Sequence, residues 1–254
     1  MARSINDVLF IEETPEGIIL LRMEDRESKN TFSEKLMKAL VQAFDEINAS
    51  EKYKAVILTG YDTYFSCGGT QEGMLKIQDG SVNFTDVPLY QLPLQCPIPV
   101  ISAMQGHGVG GGFVLGLFAD FIILSRESRY TTNFMQYGFT PGMGATYIVP
   151  EKLGAVLGHE MLFTAKRYRG VDLEKRGLSI PILPRTEVLT HAIDLAQNLC
   201  AKPRLSLVTL KDHLVRKHRE IIPEITEREV KMHDITFHQP EVAEKIKEVY
   251  GEMA

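Results

Sequence analysis

The sequence lacks the features that mark membrane, secreted disulfide-rich and nucleic-acid-binding proteins. Its three cysteines, Cys67, Cys96 and Cys200, have spacings typical of neither a disulfide framework nor a metal site. No apolar run is long enough to cross a bilayer, and the first residues lack the apolar segment of a signal peptide. The net charge of −5 disfavours nucleic acid as the main partner. We therefore predict a cytoplasmic protein that binds no metal, membrane or nucleic acid.

The chain does contain enough apolar residues, 44% of 254, to bury one large core. Strand-like and helical segments alternate up to about residue 185, with strands predicted over 8–13, 17–22, 55–59, 120–125 and 180–183. The spacing Thr31-Phe-Ser-Glu34 is that of a capping box and predicts the start of a helix. From Thr186 the pattern is helical, with breaks predicted at Pro203, Pro223 and Pro240. The fold class is therefore α/β, with a core over 1–185 and a helical region over 186–254.

Two glycine-rich loops each follow an apolar, strand-like run. The sequences are Phe65-Ser-Cys-Gly-Gly-Thr70 and Met104-Gln-Gly-His-Gly-Val-Gly-Gly-Gly-Phe113. Glycines leave the backbone open to a ligand, and the first N–H groups of a helix are unpaired. Two such loops can each supply one donor to an oxygen that carries negative charge. A tight turn whose glycines serve packing is the alternative for either cluster alone.

These two loops resemble the signature loops of the crotonase (enoyl-CoA hydratase/isomerase) superfamily. The resemblance implies a core built as a β-β-α spiral and a helical C-terminal oligomerisation region, usually in trimers. It also implies an oxyanion hole for a thioester oxygen. By motif match, its two backbone donors are Gly69 and Gly111.

The resemblance also identifies what is missing. Hydratases of this superfamily carry two glutamates, and the matching positions here are Val114 and Phe134. Neither side chain can transfer a proton, so hydration or dehydration by paired carboxylates is not supported. An apolar pocket with an intact oxyanion hole suits loss of CO₂, because the hole stabilises the dienolate that remains.

Longer runs agree with this interpretation. Residues 53–62, 104–108, 132–146 and 203–214 resemble the β-branching decarboxylases of polyketide pathways, the second crotonase-like enzyme of the HMG-synthase cassette. That resemblance implies decarboxylation of a 3-methylglutaconyl thioester to a 3-methylcrotonyl thioester. The substrate would be carried on the phosphopantetheine of an acyl carrier protein, with no other cofactor.

Two side chains are candidates for catalysis by the same resemblance. The family uses a C-terminal histidine, which matches His233, with His238 as a nearby alternative. It also uses a lysine after the first oxyanion loop. Lys76 is the lysine available there, although the alignment puts Ile77 at the family position. We predict that His233 donates a proton and that Lys76 binds the departing carboxylate.

Other residues near the motifs have more modest expected roles. Asn133 and Tyr137 precede the Pro-Gly turn and, with Val114 and Phe134, are expected to line the substrate pocket. His107 and Cys67 are interpreted as structural. A basic patch for an acidic carrier protein is expected at the tunnel mouth. It would be formed either by Arg22, Arg26 and Lys29 or by Lys211, Arg216, Lys217 and Arg219.

Two other functions remain open from the sequence. A hydratase, dehydratase or isomerase would need a carboxylate within reach of the substrate. A non-catalytic, thioester-binding scaffold would keep the two loops without turnover.

Overall fold

The computed structural model describes residues 2–250, and its largest element is a seven-stranded sheet. The ranges predicted to begin at residue 1 and to end at residue 254 therefore extend beyond the described residues. Strands β1 to β3 pair antiparallel, and the remaining strands of the sheet pair in parallel. In spatial order the strands are β1 (Ala2–Ile5), β2 (Leu9–Glu13), β3 (Ile18–Met23), β4 (Ala55–Thr59), β6 (Val100–Met104), β8 (Phe121–Ser125) and β11 (Ile182–Leu183).

A second, four-stranded sheet was not predicted, because strands of two or three residues carry no readable period. Its spatial order is β10 (Tyr168–Arg169), β9 (Arg129–Thr131), β7 (His107–Val109) and β5 (Tyr64–Ser66). β5 and β7 pair in parallel, with Ser66 opposite Gly108. The carboxyl ends of parallel neighbours lie at the same edge, so this small sheet places the two glycine loops side by side.

Ten α-helices surround the sheets in the described part of the chain. They are α1 (Glu34–Asn48), α2 (Gln71–Gln78), α3 (Leu92–Gln95), α4 (Gly111–Leu117), α5 (Ala145–Leu153), α6 (Ala155–Thr164), α7 (Gly170–Lys175), α8 (Arg185–Cys200), α9 (Arg204–Thr236) and α10 (Pro240–Val249). The fold is thus mixed α/β with a helical C-terminal region, as predicted. Within the described residues, none of the helices is long and apolar enough to cross a membrane.

The start of α1 differs from the predicted capping box. The N-cap is Ser33 instead of Thr31, and the Ser33 hydroxyl accepts a hydrogen bond from the Leu36 N–H at 3.2 Å. Thr31 instead forms an isolated bridge with Gly68 of the first glycine loop. Its position next to that loop, and not its spacing to Glu34, determines its conformation.

The predicted break at Pro223 is wrong, because α9 runs through it without interruption for 33 residues. Proline normally destabilises a helix interior. Here the helix is held on both sides of the proline, since Ile222 before it and Thr226 after it are buried. The Thr226 hydroxyl also donates to the carbonyl oxygens of Ile222 and Pro223, both at 3.0 Å. Tertiary packing therefore outweighs the local preference.

The central strands are covered on both faces. Every residue of β4 and β6 is buried. On one face, isoleucines and alanines of β4 and β6 pack against the buried side of α8, which includes Val188 and Ala192. The domain boundary predicted at residue 185 remains a prediction, and it falls where α8 packs directly onto the sheet.

Candidate active site

The first glycine loop, after β5, presents one backbone N–H to a cavity. Gly68 has φ +77°, a conformation that side chains disfavour. Its carbonyl oxygen accepts a hydrogen bond from the Phe32 N–H at 2.7 Å. In a trans peptide the carbonyl and the following N–H point in opposite directions. Phe32 therefore fixes the direction of the Gly69 N–H, which donates to no other described residue.

The second glycine loop, after β7, presents another backbone N–H to the cavity. Gly110 has φ +53°, and its carbonyl oxygen accepts the Val114 N–H at 3.1 Å, the first bond of α4. That bond fixes the peptide plane that contains the Gly111 nitrogen. Because Gly111 is the first residue of α4, its N–H has no partner within the helix.

The two loops touch each other. A Cβ atom placed on Gly68 would lie 3.2 Å from the Gly111 nitrogen, and one on Gly112 would lie 2.3 Å from the Ser66 carbonyl oxygen. Gly69 and Gly111 both line one cavity of about 270 Å³. The predicted oxyanion donors therefore share a wall of this cavity, although the two lie 42 residues apart in the chain.

The remainder of the cavity is mainly apolar. Its larger apolar lining side chains are Phe32, Met37, Met74, Ile77, Phe84, Phe134, Phe139, Met143 and Phe237. Asn133 and Tyr137 also line it, and burial raises the pKa of Tyr137 to about 12, so its hydroxyl stays protonated. Val114 does not line it. Its side chain packs in the hydrophobic core instead.

His233 lies on the cavity wall formed by α9. It is 6% exposed, and the rings of Phe84 and Phe237 have their centroids 4.9 and 5.0 Å from its own. Its Nε2 lies 2.8 Å from the Thr140 carbonyl oxygen. Since a carbonyl oxygen only accepts, the neutral ring carries its hydrogen on Nε2, and Nδ1 is the nitrogen that can take up a proton. Burial lowers the pKa of His233 to about 4, so the ring is neutral near pH 7.

The other titratable candidates lie elsewhere. His238 is exposed, and its Nδ1 bonds to the Gln78 carbonyl oxygen. His107 accepts the Arg129 N–H on Nδ1 at 3.0 Å and is not among the cavity residues. Cys67 does line the cavity, but burial raises the pKa of its thiol to about 11, which disfavours the nucleophilic thiolate.

Lys76 is not brought to the cavity. Its ammonium pairs with Glu72 at 2.7 Å on the exposed side of α2, and 53% of its side chain is exposed. The next residue, Ile77, faces the cavity instead. Successive helical residues point about 100° apart, so one place of displacement moves the side chain to the solvent face. The catalytic role of Lys76 remains a prediction.

Two acidic residues near the site were not considered from the sequence. Asp86 is an exposed residue at the cavity rim, where its carboxylate accepts the Asn83 N–H at 2.8 Å. Glu229 is fully buried one helical turn before His233 but does not line the cavity. No carboxylate therefore occupies the cavity interior among the residues described. Within residues 2–250, no group of three His, Cys, Asp or Glu side chains could hold a metal ion.

A second cavity of about 350 Å³ adjoins the first. The two share Cys67, Thr70, Asn133 and Tyr137 as lining residues. The second also contacts Lys29 and Tyr250, and the Tyr250 hydroxyl donates to the Gly69 carbonyl oxygen at 3.2 Å. The second cavity therefore lies directly beside the cavity that contains Gly69 and Gly111.

The residues of the two predicted basic patches differ in their exposure and in their ion pairs. Arg22 and Arg26 both pair with Glu24. Lys211 cannot belong to a surface patch, because it is 3% exposed and its ammonium pairs with Asp120 at 2.7 Å. Half of the second patch is thus excluded, since Arg219 also donates to backbone carbonyls.

Paired glycine loops over an apolar cavity, on this fold, define a class of thioester-binding enzymes. The family model for enoyl-CoA hydratase/isomerase matches residues 13–252, and the chain belongs to this family. The chain is 59% identical to bacillaene synthase decarboxylase PksI of Bacillus subtilis over 251 residues, which are 99% of this chain and 100% of PksI.

Solved structures agree. One, from work on a dehydratase/decarboxylase enzyme couple in polyketide β-branching, is 60% identical with a TM-score of 0.95. It covers 96% of this chain and 99% of the other. The ECH2 decarboxylase domain of CurF from Lyngbya majuscula is 42% identical with a TM-score of 0.91, over 96% and 99% of the two chains. The predicted crotonase fold is thereby confirmed.

Proposed function

We propose that the protein decarboxylates a 3-methylglutaconyl thioester carried on an acyl carrier protein and releases a 3-methylcrotonyl thioester. The observation that carries this proposal is a pair of free backbone N–H groups above a cavity whose interior holds His233 but no carboxylate. The 59% identity to a decarboxylase over nearly the whole chain supports it independently.

The reaction begins when the bond between the terminal carboxylate and C4 breaks. Its electron pair moves through the C2–C3 double bond to the thioester oxygen, and CO₂ leaves. The N–H groups of Gly69 and Gly111 hold the resulting dienolate oxygen, each contributing about 3–4 kcal/mol. The apolar walls favour this loss, because they solvate a carboxylate poorly. A proton delivered to C4 completes the product.

His233 supplies that proton. Without a nearby negative charge the His233 ring is neutral near pH 7, because burial lowers its pKa to about 4. A substrate carboxylate in the same cavity acts in the opposite direction, since a nearby negative charge stabilises the imidazolium and raises its pKa. We infer that His233 takes up a proton on Nδ1 as substrate binds and transfers it to C4 after CO₂ has left.

The second cavity is the proposed entrance for the phosphopantetheine arm of the carrier protein. Phosphopantetheine is a long, flexible arm, and the second cavity leads from Lys29 to the residues shared with the oxyanion cavity. Carrier proteins are acidic, so Arg26 and Lys29 at this end are the expected contacts. We also expect a cytoplasmic location, because Cys67, Cys96 and Cys200 are free thiols.

A homotrimer, or a dimer of trimers, is the proposed assembly. Large apolar side chains stand exposed on α6 and α9, among them Val156 at 80%, Phe163 at 75% and Leu205 at 78%. Such residues mark association surfaces when they are grouped on helices. Light scattering of the purified chain measures the mass, and a monomer at micromolar concentration contradicts the assembly.

The decisive experiment is an intact-mass assay with synthetic 3-methylglutaconyl carrier protein. Loss of one CO₂ supports the decarboxylase. Loss of water from the corresponding hydroxyacyl carrier, without loss of CO₂, would replace it with a dehydratase. Binding of the carrier without either reaction would leave a non-catalytic scaffold.

A further inference from the structure

The buried carboxylate of Glu229 has no part in the chemistry above, yet its bonds lead directly to the active site. Three side chains on one face of α9, at positions i, i+4 and i+7, all bond to residues 140–146. Glu229 accepts the Gly144 N–H at 2.6 Å, His233 bonds to the Thr140 carbonyl oxygen at 2.8 Å, and the Thr236 hydroxyl accepts the Thr140 N–H at 3.2 Å. We call residues 140–146 the turn.

The turn needs external support. Met143 and Gly144 have φ values of +64° and +74°, and a left-handed methionine is uncommon and strained. Gly144 is also the N-cap of α5 and has no side chain with which to cap it. Glu229 replaces that cap from α9. Its second oxygen accepts the Thr146 N–H at 2.9 Å and the Thr146 hydroxyl at 2.6 Å.

The turn is also a wall of the reaction cavity. Gly142 and Met143 line it, and a Cβ atom on Gly111 would lie 2.6 Å from the Met143 sulfur. At Gly142, a Cβ atom would lie 2.7 Å from the His233 ring. A shift of the turn by about 1 Å would therefore move the Thr140 carbonyl and open space above Gly111.

We propose that Glu229 is a positioning residue for the decarboxylation. By holding the turn, it keeps the Thr140 carbonyl on His233 Nε2 and Met143 against Gly111, so that Nδ1 remains the nitrogen that can take up a proton. This inference rests on the proposed function for its kinetic consequence, but the geometry of His233 can be measured without turnover.

Glu229→Gln is the sharpest variant, because it keeps the shape and loses an acceptor. A carboxylate accepts on both oxygens, whereas the amide nitrogen of glutamine only donates. At least one of the N–H groups of Gly144 and Thr146 is then left unpaired. The matched control is Lys211→Met on the same helix. Lys211 is equally buried, and its ammonium bonds to the carbonyl oxygens of Pro93 and Ile98 and pairs with Asp120, away from the turn.

Two readouts are compared, both well below each variant's melting temperature. We expect Glu229→Gln to lower kcat at least about tenfold with KM changed less than about threefold. Lys211→Met, although less stable, should stay within about twofold of the parent kcat. In the ¹⁵N spectrum of histidine-labelled protein, the Nε2–H tautomer of His233, assigned with His233→Gln, should become a mixture in Glu229→Gln alone.

Retention of the parent tautomer, or a kcat no lower than that of Lys211→Met, overturns the proposal. If Glu229→Gln does not fold, Thr146→Val carries the test, because it removes one of the three bonds and should give the same ordering against Lys211→Met. If the parent protein fails to decarboxylate its carrier substrate, the proposed function falls, and the tautomer alone then decides the role of Glu229.

Discussion

Two walls of the reaction cavity differ in the groups that they present to a ligand. The wall proposed to hold the thioester oxygen consists of backbone, the N–H groups of Gly69 and Gly111, each fixed by a bonded carbonyl in its own peptide plane. The wall on α9 consists of side chains, with His233 among aromatic rings, and Glu229 lies outside the cavity, bonded to the turn. Backbone donors do not titrate, whereas both buried side chains do.

The backbone wall determines which group the site can bind, and the side-chain wall determines which reaction it can catalyse. Backbone donors will stabilise the enolate of any thioester that reaches them. The reaction that follows depends on which side chain faces the enolate and on its pKa. A family can thus keep the first wall while the second wall changes the chemistry.

The side-chain wall should give the largest effect. His233→Ala removes the proposed proton donor, and we expect kcat to fall about 10³-fold, within the range of general acid catalysis. The fold should persist, because the helix continues on both sides of residue 233. His238→Ala, five residues further on and exposed, is the matched control and should behave as the parent. Equal loss in both variants would move the proton donor elsewhere.

The backbone wall can be broken without touching a side chain. Gly111→Pro removes the N–H at the first position of α4, where proline is tolerated. Gly111→Ala keeps the N–H but adds a Cβ atom near Met143. We expect Gly111→Pro to be slower than Gly111→Ala by about 10²-fold or more in kcat, the value of one oxyanion donor. Equal rates in the two variants would show that this N–H holds no charge.

The pH dependence of stability separates the two buried groups of the α9 wall. The pKa of His233 is about 4 when folded and 6.5 otherwise, so the unfolded chain binds its proton first and stability is lost as the pH falls through this window. The contribution of Glu229 to stability changes with pH in the opposite direction. Burial raises its pKa from 4.5 to about 7, so its contribution is present below pH 4.5 and is lost as the pH rises through 7.

The pH-dependent contributions of His233 and Glu229 to stability oppose each other in the parent protein, and substitution of either residue separates them. Relative to the parent, His233→Gln should gain stability on going from pH 7.5 to pH 4.5, by up to about 3 kcal/mol, and Glu229→Gln should lose it. Urea unfolding at the two pH values measures both differences. Parallel pH profiles in all three proteins would contradict the burial of these groups.

The smallest effect is expected at Lys76. Its ammonium lies on the solvent face of α2 and pairs with Glu72, an exposed pair that contributes little. Lys76→Ala should leave kcat within about twofold of the parent. A drop of tenfold or more would mean that the lysine swings into the cavity during turnover, as the sequence resemblance predicted, and would add a charged group to the apolar wall.

Much of the backbone wall could be predicted from the sequence. Glycine clusters after strand-like runs are local signals and predicted two donor loops, and the resemblance then named Gly69 and Gly111 within them. The α9 wall was only partly predictable. His233 was found by resemblance, but Glu229, Phe84 and Phe237 carry no local signal, because their roles depend on which distant residues they meet.

The wrong predictions at Pro223 and Lys211 have the same cause, which is a contact with residues distant in the chain. Pro223 breaks helices in isolation, but burial of Val215 and Ile222 keeps α9 continuous. Lys211 belongs to a basic run, yet it is buried against Asp120. At Pro223, tertiary contacts outweigh a helix-interior penalty of about 3 kcal/mol.

By itself, the sequence determined the alternation of strands and helices, the two glycine turns and the absence of paired carboxylates. The first two follow from residue type and spacing over a few positions, and the third follows from the resemblance to crotonases. Only the tertiary structure decided that the two turns touch, that Lys76 faces solvent while Ile77 faces the cavity, and that Glu229 holds the turn beside His233. Those outcomes depend on contacts between residues far apart in the chain, and burial there sets both direction and pKa.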